Sequence, residues 1–196
     1  RPGDIKYRDL NGDGVIDDYD KMPVGFCDIP EITYGFGGAI EWKGFDVSIF
    51  FQGTARVSIF EEGSAVVPFS SGYKNNNGFL KGVMEDRWTV DNPNPNARYP
   101  RTIRPSDALD NNNTKKSSFW VRNAAYLRLK NAEIGYTFPK RWMEKMAIQN
   151  LRLYVSGVNL LTWAPDVRLF DPELGSGDGR KYPPTRVFNV GLNINF

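Results

Sequence analysis

An all-β fold of about five long, two-faced strands is predicted by three features of the sequence. Apolar and polar residues alternate with period two over long stretches. Composition favours strands joined by turns, with 14% aromatics, 19 Gly and 13 Pro. No apolar run approaches the roughly 18 residues of a membrane helix, so any membrane crossing must be made by strands, whose half-apolar pattern leaves mean hydropathy low.

The first predicted strand covers residues 31–42, with Ile32, Tyr34, Phe36, Ile40 and Trp42 on one face and Thr33, Gly35, Gly37, Ala39 and Glu41 on the other. Lys43-Gly44 makes a two-residue turn into the second strand, 45–57, where Phe45, Val47, Ile49, Phe51, Ala55 and Val57 oppose Asp46, Ser48, Gln52, Thr54 and Arg56. Residues 58–118 are irregular, and so long a connection is foreign to a compact soluble domain. The third strand, 119–138, changes phase between Leu127/Leu129 and Ala132/Ile134/Tyr136/Phe138, which predicts a bulge near Lys130-Asn131. Residues 140–147 suit one or two helical turns. The fourth strand covers 150–163, and a loop over 164–184 leads to the last. There Phe188, Val190, Leu192, Ile194 and Phe196 share one face against Asn189, Gly191, Asn193 and Asn195.

Strands of about 12 residues exceed the 5–6 typical of globular sheets. A lipid band ~25 Å tall, crossed at ~40°, needs roughly 10 residues per strand. Five strands cannot close a barrel, and an open edge is forbidden in lipid. The remaining strands are therefore expected from elsewhere, and the chain is read as a fragment.

Chemistry is excluded more readily than assigned. With 25 basic and 23 acidic residues the formal charge is +2, too weak a field to predict a nucleic-acid partner. Histidine is absent, removing the commonest general base and metal ligand, so an enzyme is not expected. Cys27 is the single cysteine and has no internal partner for a disulfide. Gly35-Phe36-Gly37-Gly38 completes no dinucleotide fingerprint.

One motif stands out. Asp9 to Asp20 follows a 12-residue calcium loop, with oxygen ligands from Asp9, Asn11, Asp13, the Val15 carbonyl, Asp17 and Asp20, and Gly14 at the sharp turn. Asp20 stands where Glu is usual, and no amphipathic helices flank the loop. The expectation is a structural Ca²⁺ in an outer loop, weighed against a plain Asx-rich turn. Trp88, Tyr99 and Trp120 are candidates for stacking on a sugar ring, weighed against loop packing.

Several stretches together resemble the SusC/RagA family of TonB-dependent transporters: PGDIKYRDLNGDGVID (2–17), DIPEITYGFG (28–37), DRWTVDNPNPNARYPR (86–101), AAYLRLKNAEIGYTFPK (124–140), LRLYVSGVNLLTW (151–163) and YPPTRVFNVGLNINF (182–196). The resemblance implies the C-terminal five or so antiparallel strands of a large transmembrane β-barrel, about 22-stranded, with long extracellular loops and no plug domain in this chain. It implies an outer-membrane importer of oligosaccharides or peptides. The partners it implies are a SusD-like lipoprotein, the rest of the barrel and plug, TonB, and outer-membrane lipid.

On this reading residues 1–30 form an extracellular loop carrying the aspartate motif, and 31–196 carry the strands. With a periplasmic C-terminus, 58–118 and 164–184 are also extracellular, whereas Lys43-Gly44 and 139–149 are periplasmic turns. Trp42, Phe45, Tyr136, Phe138, Trp142 and Phe196 then form an aromatic girdle. The alternating face ending at Phe196 is read as an assembly signal. The alternative is a soluble, calcium-stabilised, carbohydrate-binding β-sandwich.

Overall fold

The computed structural model describes residues 1–63, 66, 80–102, 112–143, 148–177 and 181–196. The chain divides into two compact units. One gathers residues 1–29, 57–123 and 166–181; the other gathers 30–56, 124–165 and 182–196. Residues 1–29 are thus grouped with the long connections.

The second unit is one antiparallel sheet. Its strands are β1 (Ile32–Trp42), β2 (Phe45–Ala55), β5 (Tyr126–Thr137), β6 (Asn150–Trp163) and β7 (Val187–Asn195), in the order β1-β2-β5-β6-β7. β3 (Ser58–Phe60) and β4 (Val121–Asn123) pair separately, in the first unit. A β-sandwich needs two packed sheets, and the described residues supply one large sheet and a three-residue ladder.

The period-two pattern forms these strands because it gives each a face to match its neighbour's. Lys43 (φ 48) and Gly44 (φ 88) both take positive φ, the tight hairpin geometry whose twist suits the strands it joins. The Thr137 amide donates to the Gly44 carbonyl (2.7 Å), so this turn also abuts the end of β5. A short helix, α2 (Lys140–Met143), opens the β5–β6 connection.

The predicted phase change in β5 is a register shift between Leu129 and Asn131. The expected single strand over 119–138 is instead two strands. Ser118–Trp120 turns in a 3-10 helix, and Ala124 and Ala125 lie between β4 and β5. Val57 does not continue β2, which ends at Ala55 before Arg56 at φ 53.

The first unit has a small core of Val66, Val83, Tyr99 and Trp120, flanked by Ile5, Phe60, Leu80, Phe119 and Leu169. Val83 belongs to α1 (Lys81–Glu85). Residues that the sequence spreads over 1–29, 57–123 and 166–181 thereby share one interior.

Candidate functional site

Register makes the sheet two-faced across all five strands. At one level Trp42, Phe45, Tyr136, Leu153 and Leu192 follow one another; at the next come Ile40, Val47, Ile134, Val155 and Val190. These residues form one continuous apolar face, and much of it is exposed, including Ile40, Trp42, Ile134, Phe188 and Val190. A water-soluble protein rarely leaves so large an apolar surface uncovered.

The rings of that face concentrate at the end bearing the short turns. Phe45 packs on Tyr136 (4.6 Å between centroids), Tyr136 on Phe138 (5.1 Å), and Phe138 on Trp142 (6.1 Å). Trp42 pairs with Phe45, and Phe196 follows Asn195, which pairs with Asn150 at the same end. Five of the six predicted girdle residues thus form a connected band, and Phe196 lies at its level. The predicted assembly-signal residues Phe188, Val190, Leu192, Ile194 and Phe196 are all exposed, along an edge strand hydrogen-bonded on one side to β6.

The opposite face is polar. Its levels run Glu41, Asp46, Gly135, Tyr154, Gly191, and then Ala39, Ser48, Glu133, Ser156, Asn189. Arg152 reaches across this face from β6, bonding Glu133 on β5 (2.6 Å) and Asp46 on β2. Its guanidinium also lies 4.9 Å from the Tyr154 ring. Gly135 makes the crossing possible, since a Cβ there would stand 2.5 Å from Arg152 and 2.6 Å from Asp46. Sequence reasoning missed this charge bridge. Polar phase placed all three residues on one face, but only the register sets them side by side.

In the first unit, Glu61 is the hub of a buried ion network. Its carboxylate accepts from Arg122 (2.8 Å) and Arg98 (3.4 Å) and lies near the Tyr99 hydroxyl (3.5 Å). Arg98 also bonds Asp166 (3.3 Å), whose other oxygen accepts the Asn123 amide (2.8 Å). Burial, with the Glu61 charge beside it, pushes the Tyr99 hydroxyl above its usual range. This network too is absent from the sequence pattern, because its members come from segments without periodicity.

Two of the three aromatic candidates are buried within the first unit. Tyr99 (2% exposed) and Trp120 (3%) are core residues, and the Trp120 indole donates to the Asn113 carbonyl (3.2 Å). The cavity against both rings is about 20 Å³, room for about one water; a second of about 180 Å³ lies against Trp120, lined also by Phe60, Glu61 and Lys116. Trp88 lies against Gly3, whose missing side chain leaves space for the indole. Packing inside the unit has claimed these rings.

The aspartate loop is compact and exposed. Asp9 accepts the Gly12 (2.6 Å) and Gly14 (2.8 Å) amides, Asn11 that of Asp13 (3.0 Å), and Asp13 that of Val15 (2.8 Å). Asp20 accepts from Leu10 (2.7 Å) and Asp17 (2.9 Å), and Asp17 caps a single 3-10 turn, Asp18–Asp20, through Tyr19 (2.8 Å). The Asp17 and Leu10 amides hold the Asp20 carboxyl below its usual range. Gly12 and Gly14 sit at φ 78 and 83, where a side chain is strained. Among the described residues no three acidic, Cys or His side chains converge as a metal would need.

A two-faced wall of long antiparallel strands defines a membrane-barrel segment, and the comparisons specify which kind. No family model matches. The chain is 32% identical, over 99% of its length, to the TonB-dependent receptor P26 of Formosa agariphila, of which it covers 20%. It is 24% identical over its whole length to the TonB-dependent receptor SusC of Bacteroides thetaiotaomicron, covering 18% of that protein. Among solved structures, the RagAB peptide importer in the closed-closed state superposes over 93% of this chain and 19% of its own, with TM-score 0.68 and 22% identity. The RagAB peptide transporter gives 0.63 and 23% over 87% of this chain and 18% of its own. The sheet therefore has the fold of part of the RagA barrel. The chain belongs to the TonB-dependent receptors of the SusC/RagA type as a portion of one, and it spans about a fifth of the length of these relatives.

Proposed function

We propose that this chain forms part of the wall and outer loops of a TonB-dependent importer in the Gram-negative outer membrane, taking up oligosaccharides or peptides with a SusD-like surface lipoprotein. The carrying observation is the apolar face, unbroken through five strands and edged by an aromatic band. Lipid covers that face, while the polar face with its Arg152 bridge looks inward. The short turns face the periplasm and the long connections the cell exterior, which puts the end of β7 on the periplasmic side. The TonB-dependent receptor SusC and the RagAB peptide transporter, to which the chain is similar, support the reading.

In the full-length receptor, Ile49→Arg places a charge on the lipid face of β2, at about 2–4 kcal/mol near mid-membrane. It should lower outer-membrane assembly, and with it TonB-dependent uptake of labelled oligosaccharides or peptides. Ser48→Arg, one residue along and inward, should assemble. Equal assembly of the two variants would overturn the wall assignment, and an assembled receptor importing neither ligand class would overturn the import reading.

We propose further that the aspartate loop takes one Ca²⁺. Support comes from the spacing of its hard oxygen ligands; binding requires Asp9, Asp13 and Asp20 to turn further lone pairs inward. Calcium should protect the stretch between Arg8 and Lys21 from protease, and Asp13→Ala should remove the protection. Cleavage indifferent to calcium and to the substitution would leave the motif a turn.

A further inference from the structure

The short-turn end of the sheet combines the aromatic band with a feature that no function discussed so far requires. This is a group of exposed cations at its rim: Lys43 in the β1–β2 turn, and Lys140 and Arg141 in α2. The hydrogen bond between Thr137 and Gly44 (2.7 Å) sets the β1–β2 turn beside the end of β5, from which α2 follows directly. The Lys43 ammonium lies 4.7 Å from the Trp42 ring centroid, so its charge stays at the height of the aromatic band.

Among the described residues, no acid pairs with Lys43, Lys140 or Arg141. The carboxylates nearest Lys43 in sequence, Glu41 and Asp46, belong to the polar face, and Asp46 is taken by Arg152. Residues 144–147 add one Glu and one Lys, hence no net charge. At the opposite end of the sheet the corresponding cation, Arg56, is neutralised by Glu31 (2.6 Å). Three exposed cations without an acid partner among the described residues thus share this rim.

We infer that this rim binds the headgroup of an anionic glycerophospholipid. Its phosphate lies against Lys43, Lys140 and Arg141, and its acyl chains run along the aromatic band and the apolar face. Cations at the boundary of an apolar surface suit a ligand that is anionic at one end and hydrocarbon at the other. The inference rests on the membrane reading and its orientation, which turns this rim to the phospholipid leaflet.

The test uses the full-length receptor, delipidated in detergent and offered equal amounts of phosphatidylglycerol and phosphatidylcholine with matched acyl chains. Retained lipid is counted by native mass spectrometry, and heat-modifiable migration verifies the folded barrel. Phosphatidylglycerol should be preferred, by up to about fivefold per cation. The preference should vanish in the triple variant Lys43→Glu, Lys140→Glu, Arg141→Glu, and persist in Lys43→Arg. Equal retention of both lipids, or an unchanged preference in the triple variant, overturns the inference while a folded barrel leaves the membrane reading standing. Lipopolysaccharide, offered in a parallel incubation and retained at this rim in preference to phosphatidylglycerol, would overturn it through the orientation.

Discussion

Gly135 is the position where one added methyl group would obstruct the Arg152 bridge, whereas at Gly38 a Cβ would meet nothing within 4 Å. The comparison isolates obstruction from the general cost of replacing a strand glycine. Gly135→Val should lower the temperature at which the folded receptor loses heat-modifiable migration, and Gly38→Val should leave it near wild type or raise it, since Val favours strands. Matched shifts for the two would mean that the Arg152 crossing contributes nothing. Glycine recurs for the same reason beneath rings: Tyr154 lies over Gly191, Tyr34 over Gly53, and Phe50 over Gly35 and Gly37. These pairings shield strand glycines with aromatic surface. The sequence displays the glycines, but which ring covers which depends on a register that no single strand encodes.

Among the elements, β7 is the most completely legible, because its alternation is strict and its apolar residues are large. It also carries the clearest consequence. Deleting Phe196 removes ~1.5–3 kcal/mol of apolar burial at most, too little to unfold a large barrel. If the exposed face of β7 is an assembly signal, the deletion should still sharply lower the amount of folded receptor in the outer membrane, measured by heat-modifiable migration. Wild-type levels would leave Phe196 as one more girdle ring. Elsewhere, the long strands announce themselves because a half-buried or lipid-facing strand must alternate. β3, β4 and α1 do not: three to five residues are too few to show a period, and tertiary contacts such as Arg122 to Glu61 hold them.

For the molecule as a whole, orientation is the statement most open to direct measurement. In a Cys27→Ser background, cysteine at Val90 (82% exposed) should react with a membrane-impermeant thiol reagent in intact cells, and cysteine at Lys43 should not. Reversed labelling would invert the topology, and equal labelling would remove the barrel. The sequence conveyed the strand wall and its turns because lipid imposes a simple alternation on every crossing. At Tyr99 and Trp120 it left two readings open, ligand contact and loop packing, because aromatic residues in an aperiodic stretch suit both; the structure buries both rings. The ion hub at Glu61 joins residues 37 to 105 positions away, or holds them through a shared arginine, and no local pattern foretells such a meeting.

The register shift at Lys130 reaches beyond its own strand. Between the pairs Phe51–Leu129–Leu161 and Phe50–Asn131–Val158, β2 contributes no intervening residue, β5 contributes Lys130, and β6 contributes Asn159 and Leu160. Asn159 takes φ 55 there. Backbone length therefore grows strand by strand at one height, as extra stitches widen a knitted row. The girth and tilt of a closed barrel follow from strand number and stagger. Stagger above this row differs from stagger below it, so the strands of this wall bend and twist more sharply at this height.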